Sequence, residues 1–226
     1  MKARELFPLP PEHPLAESLD PEAPLHAWLD QLGAALERLV PKFPEDPPPG
    51  LHMAGRVRIE DGVQLPPYGT ILGPAWIFPG CELRPGVYLR GNVFAGPGCV
   101  LGNSCEYKNA LLLGHVETPH YNYVGDSILG EGAHLGAGVI LSNLRLDRGE
   151  VTLRLPAGRI PTGRRKVGAF LGAGAEVGCN AVLQPGTVLA AGAKVGPNLP
   201  FGGYLAPGAT ARWAPGSVEV REAPAD

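Results

Sequence analysis

Counting in sixes from Ile59 gives Ile59, Leu65, Ile71, Ile77, Leu83, Leu89, Ala95, Leu101, Tyr107 and Leu113, and only Ala95 among them is small. Two residues ahead stand smaller or β-branched side chains such as Val57, Val63, Ala75, Cys81, Val87 and Cys99. The period resumes at Leu129, Leu135 and Leu141, and again from Leu171 through Val177, Leu183, Leu189 and Val195. Two inward residues in every six suit a short strand and a corner, stacked coil upon coil around a narrow column. Pro79-Gly80, Pro85-Gly86, Pro97-Gly98 and Pro185-Gly186 supply the corners. The repeat therefore predicts an all-β chain wound as a parallel β-helix.

Composition agrees once the period is known. The chain has 32 Gly and 26 Pro in 226 residues, which without a period would read as low complexity. It is also 44% hydrophobic and only 18% charged, so it has the means to bury a core. So many helix breakers exclude a helical bundle. A net charge of −3 offers no field for nucleic acid, and no apolar run approaches a membrane span. The opening MKARELFPLPPEHP lacks the apolar stretch of a secretory signal, so a cytoplasmic protein is expected. Cys81, Cys99, Cys105 and Cys179 have no metal-ligand spacing and read as reduced core thiols. No metal site is expected.

Three segments are predicted. Residues 1–50 hold an amphipathic helix near 22–40, because Leu25, Trp28, Leu29, Leu32, Leu36 and Leu39 share one face. Pro41 ends it, and Pro44 to Gly50 reads as a linker. The helix is expected either to cap the first coil or to pack on a neighbouring subunit. Residues 51–199 form the β-helix, with loop insertions at 114–122 and 142–166, the latter a protruding hairpin. Residues 200–226 form a Pro/Gly-rich tail.

The run Glu106–Asn143, EYKNALLLGHVETPHYNYVGDSILGEGAHLGAGVILSN, is the most specific stretch. Glu106-x-Lys108-Asn109, followed by His120-x-x-Tyr123-x-Gly125-Asp126, resembles the acetyltransferase domain of the bifunctional N-acetylglucosamine-1-phosphate uridyltransferases. It is similar in particular to the archaeal sugar-1-phosphate nucleotidyltransferases that carry a β-helical acetyltransferase domain. SNLRLD and TGRRKVGA, at 142–147 and 162–169, extend the likeness, which covers roughly 57–195. The resemblance implies a left-handed β-helix with three hexads per coil, an acetyl-CoA cosubstrate and a homotrimer with sites between subunits. It implies His120 as general base toward a sugar amine, with Arg90, Lys108 and Tyr123 on the phosphate. Asn143 and Cys179 fall where the family meets the coenzyme. His134 replaces the family's asparagine and Val139 its threonine, and the His134 side chain is expected to face the same cleft as Tyr123, contacting substrate and narrowing its range.

The chemistry is coherent on its own terms. An amine attacks a thioester only when neutral, and a histidine titrating near pH ~6.5 suits removal of its proton. Arg90 and Lys108, on adjacent coils, supply charge for a phosphate. Asp126 reads as a turn former or an orienting group for the histidine, and Arg164, Arg165 and Lys166 as a solvated cluster or a phosphate-binding one. GEGAHLG and GAGAEVG miss dinucleotide-loop spacing, and His115-x4-His120 lacks the third histidine of a zinc site. Residues 1–56 are too short for the relatives' nucleotidyltransferase domain. The expected function is acyl-CoA-dependent N-acetylation of an amino-sugar 1-phosphate or nucleotide sugar. The alternative is a non-catalytic module that binds sugar nucleotides or a nucleotidyltransferase partner.

Overall fold

The structure is a computed structural model describing residues 1–41, 49–214 and 217–222; most of the expected linker lies outside the described residues. Leu51 pairs in parallel with Gly69, and Gly69 with Val87, each one coil of 18 residues further on. Three hexads thus make one turn of a left-handed parallel β-helix.

The coils have three faces. The first carries Gly69–Leu72, Val87–Arg90 and the leading halves of Glu106–Leu112 and Tyr123–Leu129. The second carries Val57–Ile59, Ala75–Ile77, Val93–Ala95, Ala169–Leu171 and Thr187–Leu189. The third carries Glu82–Leu83, Val100–Asn103, Glu117–His120, His134–Leu135, Glu176–Val177 and Lys194–Val195. The inner column follows the period, with Ile71, Leu89, Leu101, Leu135, Leu171 and Leu189 fully buried, except that Leu112 takes the inward place expected of Leu113, which lies in the outer core.

A second core lies outside the coil. The outward positions of the second face are Trp76, Phe94, Leu111, Ile128, Phe170 and Val188, all buried. Helix α1 (Ala3–Leu6), the 3₁₀ turn Leu25–Ala27 and helix α2 (Trp28–Leu39) cover them with Phe7, Leu25, Trp28, Leu32 and Leu36. The N-terminal helix therefore does not cap a coil but lies along the second face of its own chain. Burial of apolar surface, about 25 cal/mol per Å², drives it flat onto its own second face.

The breaks differ from expectation in one case. Segment 114–122 is no insertion: Glu117–His120 is an in-register strand paired with Val100–Asn103, in a coil shortened to 17 residues. The missing residue shifts the sixfold count, which is why the period looks interrupted. The other break does hold extra chain. Tyr123 pairs with Ile140 one coil on, but Ile128 pairs with Phe170, and an antiparallel hairpin, Thr152–Leu155 with Gly158–Pro161, lies between. The coils also run past 199: Val182 pairs with Pro200, Val188 with Tyr204 and Lys194 with Thr210. Ser217–Arg221 then returns antiparallel along Thr210–Ala214 and covers the edge of the third face's last strand.

Candidate active site

Asn92, Asn109 and Asp126 stack on successive coils at the corner between the first and second faces, with φ of 53°, 49° and 49°. Asn and Asp are the side chains that tolerate this left-handed turn. The corner puts a carboxylate inside the protein, since Asp126 is only 1% exposed. A buried carboxylate must be paired and hydrogen-bonded. Lys108 Nζ lies 3.2 and 3.1 Å from its two oxygens, Asn109 Nδ2 donates to Oδ1 at 3.0 Å and Asn143 Nδ2 to Oδ2 at 2.7 Å. Asp126 is thus the hub of the cluster and makes no bond to His120, so it orients Lys108 and the two amides rather than the histidine.

Tyr123 joins the same cluster through Asn143, whose Nδ2 lies 3.1 Å from the phenol oxygen. The ring folds back over Gly125. A Cβ there would stand 2.5 Å from the Tyr123 hydroxyl and 2.8 Å from Asn143 Nδ2. The glycine in the Tyr-x-Gly-Asp sequence is therefore required by close approach. Burial pushes the Tyr123 phenol above its ordinary value, so it remains a neutral hydrogen-bonding group at neutral pH.

Beside this network opens a polar cleft of about 450 Å³, lined by Arg90, Asn92, Lys108, Asn109, Asp126 and Arg164, with Leu29 and Asp30 of α2 as one wall. Arg90 sits one coil before Lys108 and pairs with Glu106 at 2.5 Å, a hydrogen bond that raises the guanidinium above its ordinary value. Arg164 approaches Asp126 Oδ1 at 3.8 Å and also pairs with Asp30. Sequence reasoning left Arg164 in an undifferentiated basic cluster. Only the insertion's return path, with Val167 N–H donating to the Asn143 carbonyl at 3.0 Å, brings it back to the coil.

The structure brings Arg90, Lys108, Tyr123 and Asn143 together on the first face. His120 ends the strand Glu117–His120 on the third face, exposed, at the corner that leads into Tyr123. His134 does not face the Tyr123 cleft. Its backbone pairs with Glu117 on one side and Glu176 on the other, so its half-exposed side chain shares the third face with His120. A three-sided coil turns residues eleven apart onto different faces. Cys81, Cys99 and Cys105 are buried as expected of core thiols, whereas Cys179 is exposed. It follows Glu176–Val177 on the third face, and its carbonyl accepts from Asn198 N–H at 2.9 Å on the next coil.

No family model matches the chain. A bifunctional sugar-1-phosphate nucleotidylyltransferase/acetyltransferase of Sulfurisphaera tokodaii is 36% identical over 143 residues, covering 63% of this chain and 36% of that protein. A bifunctional protein GlmU of Methanococcus vannielii is 32% identical over 163 residues, covering 72% and 39%. The chain thus spans little more than a third of those two relatives. An uncharacterised acetyltransferase, YaiX, of Escherichia coli strain 536 is 31% identical over 157 residues, 67% of this chain and 68% of that one. The chain belongs to the hexapeptide-repeat, left-handed β-helix transferases.

Proposed function

We propose that the protein is an acyltransferase that moves an acetyl group from coenzyme A to the amine of a phosphorylated amino sugar, either a sugar 1-phosphate or a nucleotide sugar. The observation that carries this reading is the cleft in which Arg90, Lys108 and Arg164 gather around the buried Asp126, with Tyr123 and Asn143 bonded to the same network. Asp126 fixes the Lys108 ammonium while leaving it 30% exposed, which suits a phosphate entering from solvent.

His120 is the base of this mechanism. Its exposed imidazole takes the proton from the amine as nitrogen attacks the thioester carbonyl. The carbon–sulfur bond then breaks, the amide forms, and the coenzyme leaves as a thiol after accepting a proton. The thioester would approach along the third face, where exposed Cys179 lies, and Asn143 would stand between the two substrates. His134, on that same face, is our candidate for substrate selectivity. A homotrimer is part of the reading. The second face is already covered by α1 and α2, so subunit contacts would use the first and third faces.

Release of free coenzyme A thiol, measured with acetyl-CoA and a panel of amino sugars with and without phosphate, tests this. We expect turnover only with phosphorylated amines. Equal turnover of free and phosphorylated sugars would remove the phosphate from the reading, and no thiol release with any amine would favour a non-catalytic binding module.

A further inference from the structure

A larger cleft lies elsewhere on the first face. It measures about 720 Å³ and runs between the hairpin and the coils after Ser142, with Gln184, Gly202 and Gly203 in its wall. Along the hairpin Leu153 and Leu155 are buried in the outer core, while Thr152 and Arg154 line the cleft, with buried Val151 at its edge. Arg154 pairs directly with Arg159 across the hairpin, and Arg159 lines the cleft as well. Like charges placed opposite each other destabilise a hairpin. Among the described residues neither arginine is in an ion pair. The third arginine of the cleft, Arg145, is neutralised: it grips both oxygens of Asp147, at 2.8 and 2.5 Å, and Asp147 is the carboxylate among the lining residues. Two guanidinium charges thus remain unopposed over a cavity within the usual size range for small ligands. Leu146, fully in solvent, stands in the same lining as an apolar surface with nothing upon it.

We propose that this cleft is a second binding site, one that takes the phosphate groups of a nucleotide between Arg154 and Arg159 with the base toward Leu146. Paired guanidiniums bind phosphate oxygens through parallel hydrogen bonds, and the anion removes their mutual repulsion. The anion preference stands on the cleft alone. Which nucleotide enters rests on the transferase reading, because both a nucleotide sugar and coenzyme A bring a nucleoside with phosphates.

Calorimetric titration of the full chain with uridine diphosphate and with adenosine 3′,5′-bisphosphate tests the site without requiring turnover. We expect one of the two to bind in a salt-sensitive way. The Arg154→Ala/Arg159→Ala double variant should bind it at least about tenfold more weakly, and Arg154→Lys/Arg159→Lys should recover part of the loss. Preference for the uridine compound identifies the acceptor as the source, and preference for the adenosine compound the donor. Binding of neither compound to the wild-type chain, or equal binding to the double-alanine variant at unchanged Tm, overturns the site. Neither result bears on thiol release, which reports separately on the transferase reading.

Discussion

Asn143 Nδ2 lies 2.7 Å from Asp126 Oδ2, so the residue that opens the long insertion is tied to the buried carboxylate of the preceding coil. The same amide meets the Tyr123 phenol. Asn143→Ala should leave Asp126 short of a donor, at a cost of about 1–3 kcal/mol, and lower Tm by several degrees. Asn143→Asp should be worse, because it sets a second carboxylate against the first. Thermal melts of the two variants decide the matter, and an aspartate variant as stable as wild type would refute the buried network.

Gly125 makes a separate prediction. Alanine at this position meets the Tyr123 hydroxyl at 2.5 Å and Asn143 Nδ2 at 2.8 Å, so the ring must swing away. The inward column is untouched, so Tm should fall no further than in Asn143→Ala. If Tyr123 helps hold the sugar phosphate, KM for that substrate should rise about tenfold with a smaller change in kcat. An unaltered KM in Gly125→Ala would detach Tyr123 from substrate binding.

For His120 the expectation is kinetic. A general base contributes roughly 10²–10⁴ in rate, so His120→Ala should lose about that much kcat with a modest change in KM. The side chain is exposed at a corner, and the strand's pairing with Val100–Asn103 is made by backbone, so the fold should survive. Wild-type turnover in this variant would take His120 out of the mechanism.

The β-helix was legible because its inner column repeats in the sequence, and Ile71, Leu89 and Leu101 say as much without coordinates. What sits on the outside was not read. Trp76, Phe94, Leu111 and Ile128 recur about one coil apart at the outward position, a spacing that marks a covered face, and Phe170 continues the row after the insertion. The row goes unnoticed when only inward positions are counted. The site divides in the same way. Lys108, Tyr123 and Asn143 share a motif, and the structure joins them through Asp126. Arg164 and Asp30 meet only because an insertion and a helix from distant parts of the chain fold over one corner, which no local spacing encodes. His134 went astray for a geometric reason: counting along the chain does not say on which of three faces a residue emerges.

The covering of the second face should itself depend on pH. His13 rests on Phe94 with ring centroids 5.4 Å apart, and its Nδ1 accepts the Leu15 N–H at 3.2 Å. That bond requires an unprotonated Nδ1, and the buried Nε2 has no partner among the described residues. Burial lowers the His13 imidazole below its ordinary value. It lowers His26 likewise, with the Arg164 charge adding to the effect. The unfolded chain therefore binds more protons than the folded one as pH drops through about 6.5. Stability from these two groups is complete above that value and is lost below it, down toward the depressed folded-state values. Melts between pH 7.5 and 5.5 should show Tm falling with pH, and the slope should flatten in His13→Asn/His26→Asn, which keeps an acceptor and cannot titrate. Amide exchange should locate the loss in residues 1–39, where the outer core is made, with the inner coils still protected. A Tm that holds steady down to pH 5.5, or a double variant with the wild-type slope, would show that these histidines do not hold the N-terminal segment in place.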